Sequence, residues 1–352
     1  MSKVTVVFVG MLLIEALSAS DFARACTTFA LRADRILAKS YDWHMDHGLL
    51  LVNKRGVEKH GFALAPTDVP PTWTSRFGSV TFNQYGREFP NAGLNEAGLV
   101  VEVMVLEDSR FPEATTQPSL NETQWVQYQL DRFDSVAEVV RHAQEVRIAP
   151  ALQPLHYMVC DRIGECASLE YVDGALRIQA GASMDIQVLA NDTYIHSREY
   201  LRRFAGFGGQ NPIPARGMGS LTRFVRAADH VRQGPRDGSP VAYAFAGLEK
   251  VAGPTTQWRI AYEMATGAIH FASLSAPAIK TIRTANLDFA CSSPVGMLDV
   301  GTQTSGDATS LIVAYDPMAN DRMVHASLDG LLPAAVISRA LTFPATTHCA
   351  DL

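Results

Sequence analysis

Charge is scarce in this sequence, and so is any long apolar run beyond its start. Asp, Glu, Lys and Arg make up only 19% of the 352 residues, and the formal net charge is -6. An acidic balance with no basic stripe excludes nucleic acid as a partner. Beyond the first two dozen residues no apolar stretch approaches the roughly 20 residues that cross a bilayer. The 25 glycines and 18 prolines follow no repeat, which rules out collagen-like and low-complexity chains. Cysteine is sparse, five in all, and none has zinc-ligand spacing, so neither a metal nor another cofactor is expected. What remains is a 47% hydrophobic chain that can bury a sizeable core.

The start of the chain reads as an address. Lys3 gives a short positive segment, Val4 to Leu13 is almost wholly apolar, and Ala23-Arg24-Ala25 has the small-x-small form of a signal-peptidase site. Residues 1–25 are therefore expected to be a signal peptide. Residues 26–352 would form one domain, secreted or periplasmic. Cleavage after Ala25 would leave Cys26 as the first residue. A cysteine there is either a lipid anchor or a nucleophile whose own α-amine is the base. The lipid anchor wants a Leu-like residue at 23 and a small one at 24, where Ala23 and Arg24 stand. The nucleophile needs only a free amine. Thiol and amine have pKa values near 8.5 and 8 respectively, and sit on the same residue.

The other four cysteines are even in number. Cys160 and Cys166 flank a turn-like Asp161 to Glu165, and Cys291 with Cys349 would tie down the C-terminus. Two disulfides in an oxidising compartment and four buried thiols are both open readings.

Short β-type runs occur at residues 27–31, 36–41, 49–53, 79–84, 99–106, 156–160, 167–171, 186–190, 257–264 and 268–274. Helical signals occur at 197–204, 221–231 and 241–251. Two capping-box patterns add to them, Ser119 to Glu122 and Ser135 to Glu138. Strands and helices do not alternate strictly, which excludes a doubly wound parallel sheet. Two antiparallel sheets covered by helices are expected. If runs 27–31 and 36–41 pair as a hairpin, Asp42 returns towards Cys26, where a carboxylate would hold the α-amine.

Cys26-Thr27-Thr28, Lys39-Ser40-Tyr41-Asp42-Trp43 and Asn95-Glu96-Ala97-Gly98-Leu99 follow one another in this order. Asn191-Asp192-Thr193-Tyr194 and Leu221-Thr222-Arg223-Phe224 come next. In that order the segments resemble the choloylglycine hydrolase family, which contains penicillin V acylases and conjugated bile salt hydrolases. The resemblance implies an α+β fold, a four-layer αββα sandwich of the N-terminal-nucleophile hydrolases. It implies a cysteine amidase that cleaves linear carbon–nitrogen amide bonds of small N-acyl substrates, and a homotetramer. Residue by residue, Cys26 would attack, Asp42 would hold its amine, and Arg223 would lie near the sulfur. Asn191 would donate to the oxyanion through its side chain, and Val105 through its backbone amide. Lys39 stands where many bile salt hydrolases carry arginine, so the charge is kept and the bidentate fork lost. Lys39, Trp43 and Met104 are expected to bind substrate. Val103 to Leu106 would line an acyl pocket, serve as core, or both, and His44 and His47 would lie at the mouth. The departures point towards penicillin V or N-acyl homoserine lactone substrates rather than bile salts. The competing readings are an acyltransferase with the same nucleophile and a cell-envelope binding lipoprotein anchored at Cys26.

Overall fold

The computed structural model describes residues 26–113 and 115–350; the expected signal peptide, residues 1–25, lies outside them. Among the described residues two large sheets carry the fold. One has seven strands, ordered Val188–Leu189, Thr27–Leu31, Ile36–Asp42, Thr256–Glu263, Ala268–Ser273, Lys280–Arg283 and Gly306–Asp307. The other has nine. Its order is Ala175–Ala180, Cys166–Val172, Leu155–Cys160, Val100–Val105, Pro90–Asn95, Ser79–Asn83, Leu49–Asn53, Gly296–Asp299 and Val313–Ala314. Neighbours run antiparallel throughout, except where Lys280–Arg283 meets Gly306–Asp307.

The two sheets face each other. Phe82 of the nine-stranded sheet packs against Trp258, Tyr262 and Phe271 of the seven-stranded one. Helices Ser220–Gln233 and Pro240–Val251 cover the outer face of the seven-stranded sheet over the first hairpin. Helix Gln124–Arg132 covers Pro90–Asn95 and Val100–Val105 on the other side. The expected four-layer α+β sandwich is thus the observed one. Strands near its middle are covered on both faces, which is why Val100–Val105 is apolar at every position but Glu102.

The first hairpin sets the site. Thr27 pairs with Ser40 and Leu31 with Ile36. The chain reverses through one turn of 3-10 helix, Arg32–Asp34, and Arg35 closes it in the left-handed conformation at φ 55°. Side chains alternate across the sheet. Thr28 faces Met104 in the opposite sheet, whereas Phe29 points at the helices and meets His230 edge-on. Gly247 lets helix Pro240–Val251 sit that close, since a Cβ there would fall 2.4 Å from the His230 ring.

One helix start differs from expectation. Ser119 does not cap a helix; Ser119–Leu120 pairs as a short strand with Arg147–Ile148. Asn121 is the stronger competitor, and its side-chain oxygen accepts the amides of Thr123 and Gln124 ahead of helix Gln124–Arg132. Glu122 turns instead to a neighbouring loop. The second pattern holds: Ser135 accepts the Glu138 amide at the start of Val136–His142. The helix expected from Ser197 begins earlier, at Tyr194, with Thr193 as its cap. The sequence reading missed helices Pro317–Leu328 and Ala334–Thr342. Both disulfides are formed, Cys160–Cys166 across its hairpin and Cys291–Cys349 near the C-terminus. Cys26 is a free, buried thiol.

Candidate active site

Cys26 sits one residue before the first strand, so the hairpin register sets it beside the end of the second. There the Asp42 amide donates to Sγ at 3.5 Å, and the thiol points back at the Asp42 carbonyl at 3.7 Å. Asp42 is fully buried. Its Oδ1 accepts from Ser40 and from Thr256 on the adjoining strand. Its Oδ2 has no hydrogen-bond partner among the described residues. A buried carboxylate oxygen without a donor is costly, and a cation beside it would remove the cost. Burial raises the Asp42 carboxyl to about 6; Thr256, Arg223 and Lys39 oppose the rise. Burial also pushes the Cys26 thiol up, and the Lys39 charge is the strongest force pulling it back down.

Arg223 enters from helix Ser220–Gln233 and is 1% exposed. Its Nη1 donates to the Cys26 carbonyl at 2.6 Å and to the Thr27 hydroxyl, and its Nε to the Met218 carbonyl at 3.0 Å. Nη2 donates to Asn191 Oδ1 at 2.9 Å. Burial lowers the guanidinium only to about 10, so it stays a cation at neutral pH. Asn191 follows the short strand beside the first hairpin, and its own amide donates to Ser220 Oγ. A guanidinium has donors only, so Asn191 must turn its oxygen to Arg223 and its nitrogen away. That nitrogen donates to the Val105 carbonyl at 2.7 Å. One of its two hydrogens remains. Leu106 donates to Pro154, so by antiparallel alternation the Val105 amide points to the other edge of its strand. The neighbour on that edge stops pairing at Ala92 opposite Glu102, which leaves that edge open at Val105.

Cys26 and Val105 border a pocket with an empty volume of about 410 Å³, counting its open mouth. Trp43, Met104 and Val105 line it, together with Cys26. Lys39 does not. It is fully buried between the sheets, its Nζ bonded to the Val103 carbonyl and 3.7 Å from Glu102. The expectation of Lys39 as a substrate contact is corrected. It shares a strand face with Tyr41, but lies two residues deeper in the sandwich.

Sequence reasoning missed several groups. Thr256 holds Asp42 from a strand more than 200 residues away, which no local pattern signals. Glu102 accepts from the Tyr262 hydroxyl at 2.8 Å, and burial raises it to about 7. Tyr41 donates to Gln84 and accepts from Asn91, and Gln84 in turn holds the carbonyls of Met45 and His47. That fixes the loop after Trp43, where His47 meets Ser327 Oγ at 2.8 Å. The Tyr41 signal was present, inside the quoted Lys-Ser-Tyr-Asp-Trp segment.

Over residues 36–240, more than half its length, the chain matches the linear amide C–N hydrolases of the choloylglycine hydrolase family. The chain belongs to the choloylglycine hydrolase family. The family segment contains Lys39, Asp42, Val105, Asn191 and Arg223. Cys26 precedes it, and helices Pro317–Leu328 and Ala334–Thr342 follow it. A penicillin V acylase from Pectobacterium atrosepticum is 28% identical over 236 residues, 60% of this chain. The match spans 61% of that relative, less than two thirds of its length. The structure of a penicillin V acylase from Agrobacterium tumefaciens is similar at 27% identity and a TM-score of 0.70, covering 83% of this chain and 98% of that one. A conjugated bile acid hydrolase variant from Clostridium perfringens shares the fold of this choloylglycine hydrolase family member. Its TM-score is 0.63 at 15% identity, over 80% of this chain and 98% of that one.

Proposed function

We propose that this protein is an exported cysteine amidase that hydrolyses linear amide bonds of small N-acyl compounds. One observation carries the reading: the buried Cys26 thiol accepts from the Asp42 amide, and the Asp42 carboxylate keeps one oxygen without a partner among the described residues. Removal of residues 1–25 turns the Cys26 peptide nitrogen into a free α-amine. The amine takes the thiol proton, and Sγ attacks the amide carbon. The developing oxyanion accepts from Asn191 Nδ2 and the Val105 amide. As the tetrahedral intermediate collapses, the C–N bond breaks and the amine's proton goes to the departing nitrogen. Water then attacks the thioester with the same amine as base, and the acid leaves. Arg223 acts as a positioning residue throughout, holding Cys26 and Asn191 in register.

Two disulfides support export, because such bonds persist in oxidising compartments. Substrates similar to penicillin V or an N-acyl homoserine lactone fit the pocket's apolar walls. The same thioester resolved by an amine would make an acyltransferase, and acceptor competition during turnover separates the two. A lipid anchor at Cys26 is disfavoured, because Ala23 and Arg24 stand where an anchor signal wants a Leu-like and a small residue.

The test is the intact mass and N-terminal sequence of the exported protein, with amide hydrolysis assayed on the same sample. A chain that begins at unmodified Cys26, hydrolyses amides and goes silent as Cys26→Ala is the expected result. A lipidated Cys26, or full turnover with an extra residue before it, rejects the proposal.

A further inference from the structure

The pocket beside Cys26 shares a wall with a second recess. Tyr85, Thr123 and Leu152 line the pocket from one side and the recess from the other. That recess has an empty volume of about 350 Å³, counting its open side. Phe62 and Phe89 form part of it. Leu332, Val336 and Ala340 close it from the C-terminal region, beyond the residues matched by the family. No charged side chain lines the recess. Its one side-chain amide, on Asn121, already has its oxygen committed to the Thr123 and Gln124 backbone. A polar occupant would find few partners there, whereas methylenes would leave water at no cost in broken hydrogen bonds.

The divider between the two recesses is built, not incidental. The buried Glu122 carboxylate accepts three consecutive amides, from Ala151 and Leu152 at 2.7 Å and from Gln153 at 3.0 Å. This clamp fixes the loop that carries Leu152. Its cost is visible in the carboxyl itself, which burial pushes up despite the three donors.

The geometry points to an extended acyl site. A linear acyl chain with its carbonyl at Cys26 crosses the saddle of Tyr85, Thr123 and Leu152. Its distal end lies in the recess under the two last helices. The enzyme is then selective for long unbranched N-acyl amides, and the C-terminal helices set the chain length. This inference rests on the amidase reading above. A narrow, flexible chain suits two lobes joined over three side chains.

The test is a series of N-acyl 4-nitroanilides, with straight chains from about four to about ten carbons, given to the cleaved protein. Once the chain outgrows the first pocket, each further methylene is expected to raise kcat/KM about fourfold, the value of one buried CH₂. Val336→Trp and, separately, Ala340→Phe fill the recess and are each expected to cut the long-to-short ratio of kcat/KM tenfold or more. The wild-type series needs no variant to fold, so the inference stays testable if either substitution fails. Hydrolysis of the short amides with a flat or falling dependence on length overturns the extended site and leaves the amidase standing. So does an unchanged ratio in both folded variants. No hydrolysis at any length rejects the amidase reading, and the extended site with it.

Discussion

Arg223 holds Asn191 the right way round: Nη2 reaches the side-chain oxygen at 2.9 Å and so turns the amide nitrogen to Val105. The orientation of a side-chain amide is ordinarily ambiguous, but here a partner without acceptors decides it. Asn191→Ala is expected to lower kcat by about 10²–10³, the usual loss for one oxyanion donor, with little change in KM. Arg223→Lys keeps a charge but not the fork, so it should also lower kcat by freeing the Asn191 amide to rotate. Steady-state kinetics on both variants checks this. An unaltered kcat in Asn191→Ala removes Asn191 from the chemistry.

Asp42 should contribute an acid limb to activity. Burial lifts its carboxyl to about 6, and an ammonium at the unpartnered Oδ2 would draw it down again. Only the ionised form holds the amine's cation. The limb from Asp42 is therefore expected in kcat/KM at or below pH 6, beneath the one set by the free amine that acts as base, and activity is lost as pH falls through it. Asp42→Asn should lower the rate and abolish that limb. A pH profile of both proteins decides, and an unchanged limb in the variant assigns it elsewhere.

Lys39 acts on the thiol without touching substrate. Its charge is the largest influence opposing the burial that raises Cys26. Lys39→Met should push the thiol further up and slow alkylation of Cys26 by iodoacetamide near pH 7.5, by about tenfold for one unit of pKa. Alkylation rate against pH reads this directly. A rate profile identical to wild type would leave Lys39 with its bond to Val103 and its ion pair with Glu102.

His230 makes stability depend on pH away from the site. It is buried, stacks on Tyr243 and accepts from Lys250, which requires a neutral ring. Burial and the Lys250 charge lower it to about 4. The folded state thus binds fewer protons than the unfolded one between about pH 6.5 and 4. Stability from this ring is fully present above that window and is lost as pH falls through it. Thermal midpoints of wild type and His230→Phe across this range should diverge, with the variant flatter.

The first hairpin was legible because two signals agreed: alternating β-type residues and a polar turn at Arg32 to Arg35. That alone brought Asp42 to Cys26. Asn191 and Arg223 carried no local signal and were found by resemblance, since their roles depend on a strand and a helix that meet only in the fold. Ser119 misled because one four-residue pattern cannot show that Asn121 competes for the same amides. Lys39 misled because the resemblance set it where bile salt hydrolases carry arginine, while its depth depends on how two sheets pack. Glu102, a lone acid in a valine-rich strand, needed the opposite sheet to be understood. The starts of the last two helices were marked, by Asp316-Pro317 and Pro333, but nothing in sequence tied them to Cys26.

The Cys291–Cys349 bond has a bearing on all of this. Cys349 lies just past helix Ala334–Thr342 and pairs beside Val57 at the edge of a small three-stranded sheet. The helix that closes the second recess is therefore anchored near Cys349, while the hairpin that carries Cys26 is anchored between neighbouring strands of a seven-stranded sheet. Chemistry and selectivity have separate fastenings. If the proposed amidase has the extended acyl site, a reductant would loosen the helix that measures the chain, while the hairpin of Cys26 has no disulfide to lose.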